Sequence, residues 1–109
     1  MQIITILKSV AAAATPEAIT ATALKVSSIV IQPYNGDATS TGANTGKVVV
    51  GKSDVDWTLG VQLGIPTAGA TPPSYTIQAT KMSNELDLAE WWIKVAVNGE
   101  KVVITALQT

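Results

Sequence analysis

The stretch from Glu90 to Leu107, EWWIKVAVNGEKVVITAL, carries the strongest fold signal in the chain. Asn98-Gly99 separates two alternating apolar runs, and this dipeptide favours a two-residue type I′ turn in which both residues have positive φ. Val97 and Glu100 would then face each other across a C-terminal β-hairpin. Because successive strand residues point to opposite faces, the pattern predicts one buried face and one outward face.

The hairpin register assigns each side chain to a face. The buried face would hold three cross-strand pairs: Val95 with Val102, Ile93 with Ile104, and Trp91 with Ala106. The outward face would hold Trp92, Lys94, Lys101 and Thr105. An outward Trp must be covered by a loop, a ligand or another protein, and Trp is enriched at protein contact sites. Trp57 and Tyr34, both in predicted connections, are further candidates for a contact surface.

The composition fits one small domain with few surface ions. The chain has 109 residues, of which 47% are hydrophobic and 14% are charged. It has no Cys, so disulfides and thiolate metal sites are excluded. A surface filled largely by Thr, Ser, Ala, Gln and Asn suits extensive protein contact.

The distribution of charged and apolar residues argues against two classes of partner. The basic residues are all Lys, they are scattered singly, and the net charge is -1. Nucleic acid is therefore not an expected partner, because phosphate recognition normally uses clustered Lys and Arg. No apolar run approaches the roughly 20 residues of a transmembrane helix, so no membrane partner is expected.

The side-chain pattern of residues 1–14 predicts a strand followed by a connection of small residues. Ile4 and Ile6 lie on one side of this strand, with Ile3 and Leu7 on the other, so both sides are apolar. Such a strand either pairs within its own sheet or covers a neighbouring subunit. Lys8 interrupts the apolar run and no basic region precedes it, which argues against a signal peptide. We predict an N-terminal strand or arm over residues 1–14, with Ile4 and Ile6 as interface candidates, and a domain over residues 15–109.

Further short strands are predicted between Gly- and Pro-rich turns. They cover Glu17–Thr20, Leu24–Gln32, Lys47–Val50, Val61–Ile65, Tyr75–Ala79 and Leu86–Leu88. The polar segment Asp37–Thr45 predicts a surface loop. About seven or eight short strands without an amphipathic helix favour an all-β fold, namely a single antiparallel β-sandwich with jelly-roll-like topology.

Catalytic and metal-binding chemistry finds little support in the sequence. The chain has no His, so acid-base catalysis near neutral pH lacks its usual group. Asp54 and Asp56 could hold Ca²⁺, but the further ligands of a calcium loop are missing, which favours a solvated loop. Three carboxylates that could be imagined as a glycosidase pair, Glu85, Asp87 and Glu90, more simply solvate a turn. We predict no enzyme activity, no metal and no cofactor.

Several segments resemble the small β-sandwich structural proteins of tailed bacteriophage virions, including head decoration (cement) proteins. The segment LKVSSIVIQ (Leu24–Gln32) is followed by a Gly- and Asn-rich loop and then by KVVVG (Lys47–Gly51). Later, LDLAEWWIK (Leu86–Lys94) leads to the final Asn-Gly turn. The resemblance covers roughly residues 15–105, and the chain departs from the pattern at Trp91-Trp92 and in the loop from residue 64 to 73.

This resemblance implies a non-enzymatic virion protein on the capsid surface. Its expected partners are the major capsid protein and further copies of itself. One alternative is a carbohydrate-binding module that stacks sugars on Trp92, Trp57 or Tyr34. Another is a structural component of the tail or connector.

Overall fold

The computed structural model describes residues 1–81 and 83–109 and has an all-β architecture with antiparallel sheets. The strands are β1 (Gln2–Ser9), β2 (Glu17–Ala18), β3 (Lys25–Val26), β4 (Ser28–Pro33), β5 (Val48–Gly51), β6 (Val61–Leu63), β7 (Tyr75–Gln78), β8 (Leu86–Asp87), β9 (Trp92–Val95) and β10 (Lys101–Gln108). A 3₁₀ turn covers Leu88–Glu90. Most predicted strands are therefore present, with bounds shifted by a few residues.

The strands form two four-stranded sheets and one two-stranded sheet. Sheet A has the order β1-β10-β4-β7, and sheet B has the order β2-β9-β5-β6. The predicted strand Leu24–Gln32 is divided between β3, which pairs with β8, and β4, which belongs to sheet A. Ser27 separates the two parts, and its N–H and hydroxyl both donate to the Leu107 carbonyl.

Residues from both four-stranded sheets enter one hydrophobic core. Alternation along β4, β9 and β10 places every second side chain inside, as the sequence predicts. The buried cluster contains Val10, Ile19, Val26, Ile29, Ile31, Val48, Val50, Leu63, Leu88, Ile93, Val95, Val102, Ile104 and Ala106. The predicted buried face is thus confirmed, except that Trp91 is only half-buried and packs against the edge of this cluster.

The predicted C-terminal hairpin is wrong, because β9 and β10 belong to different sheets. Both edges of β10 are occupied by β1 and β4, and both edges of β9 by β2 and β5. The segment between them crosses from sheet B to sheet A. Ile93 and Ile104 therefore enter the core from two sheets instead of sitting side by side on one.

A turn does form at Asn98-Gly99, although it is not type I′. The Glu100 N–H donates to the Val97 carbonyl at 3.3 Å, and Gly99 has a φ of 79°. Among the described residues other than Gly, positive φ occurs at Ser40 and not at Asn98. Instead of adopting positive φ, Asn98 accepts a 2.7 Å hydrogen bond from the Ala13 N–H, which ties the turn to the segment after β1.

Replacing Gly99 by Val is expected to destabilise the protein by about 1–2 kcal/mol, because a β-branched residue is disfavoured at positive φ. The matched control is Gly64→Val. A Cβ at either glycine would meet no atom within 4 Å, but only Gly99 of the two has positive φ. Thermal unfolding should show a lower Tm for Gly99→Val than for Gly64→Val. Equal melting temperatures would contradict the turn geometry.

The predicted N-terminal arm is a strand of the domain's own sheet. Along its whole length β1 pairs with β10, from Gln2 opposite Gln108 to Ser9 opposite Lys101. Ile4 and Ile6 point inward and pack against the core. Of the two possibilities left open by the sequence, pairing within the same sheet is the one observed.

Candidate interaction surface

The outer face of sheet B carries a cluster of aromatic and basic side chains, which we call the tryptophan face: Lys47, Trp57, Trp92 and Lys94. Alternation along β9 brings Trp92 and Lys94 to this side, while Ile93 and Val95 enter the core. The outward position of Trp92 is as predicted. What the sequence did not reveal is how the loop between β5 and β6 folds over part of this face.

Trp57 belongs to that loop, and its ring lies near two ammonium groups. The Nζ atoms of Lys47 and Lys94 are 5.2 Å and 5.9 Å from the centre of its ring. The Trp57 carbonyl accepts a hydrogen bond from Gln62 on β6. Val49, which pairs with both Lys94 and Gln62, is fully buried although it is outside the core cluster. Gly60 of the same loop lies against Val49, since a Cβ there would come within 2.8 Å of Val49 Cγ2. The loop that carries Trp57 therefore covers this part of the sheet.

The loop is also held by an ion pair. Lys94 Nζ lies 2.9 Å from Asp56 Oδ1. This hydrogen bond, together with the Trp57 N–H and the charge of Lys94, holds the pKa of Asp56 below its ordinary value. The Asp56 carboxylate is thus engaged with a Lys, and both Asp54 and Asp56 are exposed. Among residues 1–81 and 83–109, no three acidic side chains lie together as metal ligands.

Replacing Lys94 by Met should raise the pKa of Asp56 towards the ordinary aspartate value of about 4. A folded-state pKa that is depressed stabilises the fold above the unfolded-state pKa, and this stabilisation is lost as the pH falls through the folded-state value. The stability difference between the two proteins should therefore shrink below about pH 4. NMR titration of the Asp56 carboxyl is the direct measurement, with Lys81→Met as a control for removal of a charge. An unchanged Asp56 titration in Lys94→Met would contradict the ion pair.

Trp92 is half-buried and lies beside a shallow depression of about 370 Å³. Its strand neighbours are small, with Ala18 on β2 and Gly51 on β5. The depression is lined by Lys52, Ser53, Ala89, Glu90 and Trp92. An aromatic ring beside hydroxyl, ammonium and carboxylate groups is able to contact either a protein side chain or a sugar.

The other predicted interface residues are not part of the tryptophan face. Tyr34 follows β4 in sheet A, and Lys101 Nζ lies 5.1 Å from the centre of its ring. Ile4 and Ile6 face the core. The exposed apolar residues of β1 are instead Ile3, at 67% exposure, and Leu7, at 54%. The alternation of β1 contained this information, but the sequence alone did not say which side would be inside.

The three carboxylates considered for a glycosidase pair make different contacts. Hydrogen bonds from the Thr80 hydroxyl and N–H lower the pKa of Glu85, which closes a turn. Asp87 is buried and accepts from the N–H groups of Ala89 and Leu24, and these bonds lower the pKa of Asp87. Glu90 lines the depression beside Trp92. Glu85 and Asp87 therefore stabilise local backbone structure.

No model of a known protein family matches the chain, and comparison with curated proteins and with solved structures also gives no match. In the part of the chain that the structure describes, no helix is long and apolar enough to cross a membrane.

Proposed function

We propose that this protein is a non-enzymatic structural component of a tailed-phage virion, which decorates and stabilises the capsid shell. Its partners would be the major capsid protein and further copies of itself. The observation that carries the proposal is the set of large apolar side chains left exposed on a surface with few charges: Ile3, Leu7, Leu59, Val61, Ile65 and Val97. Scattered apolar residues are normal on a surface, but a concentration on the edge strands is typical of contact sites.

Two groups of these residues mark separate edges. Ile3 and Leu7 belong to β1, the edge strand of sheet A. Leu59, Val61 and Ile65 lie on or beside β6, the edge strand of sheet B. A protein with two apolar edges is able to contact a second copy at one edge and the shell at the other. The assignment to a phage virion comes from the sequence resemblance.

The packing of the two four-stranded sheets against each other is part of the same proposal. We propose that the two four-stranded sheets pack face to face as a β-sandwich with jelly-roll-like topology. The single core cluster fed by both sheets supports this arrangement.

The test of the function is co-sedimentation with purified heads that lack the protein. Binding at a fixed ratio to the major capsid protein is expected, and failure to bind heads at any concentration would overturn the proposal. A variant with Leu59→Ser and Ile65→Ser should bind more weakly if the β6 edge meets the shell. Val97→Ser, which removes another exposed apolar side chain from the turn after β9, is the matched control.

A carbohydrate-binding module is the second candidate, favoured by the depression beside Trp92. Ser53 and Glu90 lie next to an aromatic ring there, and sugar-binding sites combine stacking with such polar groups. Retention on a glycan array that is lost in Trp92→Ala and kept in Trp57→Ala would support this function. Absence of retention would leave the structural role as the better proposal.

A further inference from the structure

The free edge of β1 differs from the other edges of the two large sheets. β1 has eight residues and pairs with β10 at every position without a bulge. The other edge strands, β7, β2 and β6, have four, two and three residues. Pro73 lies shortly before β7, Pro16 directly before β2, and Pro66 shortly after β6. Short strands and Pro are common protections against edge pairing, and β1 has neither.

The hydrogen-bonding groups on this edge can be assigned from the pairing with β10. The Val10 N–H donates to the Glu100 carbonyl, at the position that continues the register of β1 with β10. Because hydrogen-bonded and non-hydrogen-bonded pairs alternate in an antiparallel ladder, the even-numbered residues of β1 bond to β10. The N–H and C=O groups of Ile3, Thr5 and Leu7 therefore point to the free edge.

We infer that this edge pairs with the β1 edge of a second copy, antiparallel and about a two-fold axis through Thr5. The inference rests on the proposed assembly role and names the partner of one edge. Sheet A of each copy would join into one continuous eight-stranded sheet. Ile3, Thr5 and Leu7 would together contribute about six inter-chain N–H···O=C bonds, since each hydrogen-bonded pair of residues exchanges two such bonds.

The sequence of β1 is self-complementary in this register. The central position, Thr5, would face its own copy on the outward side. The flanking pairs would be Ile3 with Leu7 outside, Ile4 with Ile6 inside, and Gln2 with Lys8 inside. Each apolar side chain of the strand thus meets an apolar side chain, which is the favourable cross-strand arrangement.

Neighbouring registers lose this match. A shift by two residues in one direction places Ile3 opposite Thr5, and a shift in the other direction places Ile4 opposite Lys8. A shift by one residue would pair residues whose N–H and C=O groups point to opposite edges. Only pairing about Thr5 combines free backbone groups with matched side chains.

Charge also permits this contact. Lys8 is the charged residue of β1, and its Nζ lies 2.9 Å from a carboxylate oxygen of Glu17 in the same chain. In the paired edge Lys8 would face Gln2 of the second copy, so no like charges meet. Covering Ile3 and Leu7 would bury two of the large apolar side chains that the single chain leaves exposed.

The experiment measures molar mass in solution, with no heads present, so its result is independent of capsid binding. Light scattering of the full chain between about 1 μM and about 1 mM should show a mass that rises towards twice the 11.3 kDa of one chain. Thr5→Lys and Thr5→Glu should each remain monomeric, because the axis would place like charges directly opposite each other. An equimolar mixture of the two variants should recover the dimer, as a Lys-Glu heterodimer.

Thr105→Lys is the matched control. Thr105 is exposed on the same face of sheet A and pairs with Thr5, but it lies one strand away from the edge. This variant should dimerise like the original chain. A wild-type protein that stays monomeric throughout would overturn the inference while leaving head binding to be judged separately. Dimers of Thr5→Lys, or a mixture that fails to restore dimers, would overturn the pairing about Thr5.

Discussion

Deletion of residues 1–14 is expected to unfold most of the protein. The deletion removes β1, which covers one whole edge of β10, and it removes Val10, which is fully buried. Ile4 and Ile6, which pack against the core, are lost as well. Burial of one large apolar side chain contributes about 1.5–3 kcal/mol. The loss should therefore reach about 5 kcal/mol or more, which is comparable with the entire stability of a typical domain.

Circular dichroism and amide NMR spectra are the measurements for this prediction. The matched control uses the alternation of β1. In solutions dilute enough for the chain to be monomeric, Ile4→Ser with Ile6→Ser should lower the Tm strongly. Ile3→Ser with Leu7→Ser should leave it nearly unchanged there, because the second pair points outward. A truncated protein with a native-like spectrum would mean that β1 is a detachable arm, as the sequence had suggested.

The sequence predicted which side chains are inside more successfully than which strands are neighbours. The direction of a side chain depends on the two-residue period of a strand, which is a local property. Ile93, Val95, Val102 and Ile104 are therefore all buried, as predicted. Strand pairing is not local, since β10 lies between β1 from the start of the chain and β4 from its first third.

The Asn-Gly dipeptide predicted the turn but not which strands pair on either side of it. A reversal of the chain occurs there, with a hydrogen bond between Val97 and Glu100. Whether the flanking strands then pair depends on competition from other strands for their edges. Here the turn is bound to the first strand region, since the Gly99 N–H donates to the Val10 carbonyl at 2.8 Å.

Asn44 illustrates a structural residue that no local pattern reveals. It lies in a segment predicted as a surface loop, yet it is only 4% exposed. Its side chain accepts from the Lys101 N–H and donates to the Lys101 carbonyl, in the manner of a neighbouring strand. Glu100 holds the same loop by accepting from the N–H groups of Thr45 and Gly46. Both roles depend on residues about half the chain away.

In the tryptophan face, too, the direction of a side chain was predictable from the sequence and a non-local contact was not. The outward direction of Trp92 followed from alternation, because its neighbour Ile93 is strongly apolar and belongs inside. Trp57, in contrast, lies in a loop and contacts Lys47, Lys94 and Gln62, three residues on three different segments. Single-sequence patterns do not contain such three-way contacts.

Replacement of Ile93 by Ala is expected to cost about 3–4 kcal/mol of stability. Ile93 is fully buried at the centre of β9, between Val50 on one neighbouring strand and Glu17 on the other. Removing three carbon atoms there leaves a cavity in the core that both four-stranded sheets supply, and strands paired on both sides have little freedom to close it. The matched control is Ile65→Ala, which removes the same atoms from a side chain that is 59% exposed.

Chemical denaturation of the two variants and the original chain separates the possible outcomes. The midpoint should fall substantially for Ile93→Ala and change little for Ile65→Ala, with similar slopes for all three proteins. Equal midpoints for the two variants would mean that β9 does not face the core. A loss for Ile93→Ala accompanied by a changed slope would instead indicate an altered denatured state or a departure from two-state unfolding. A large loss for Ile93→Ala alone would show that the inward-facing side chains of β9 pack in the core that sheets A and B share.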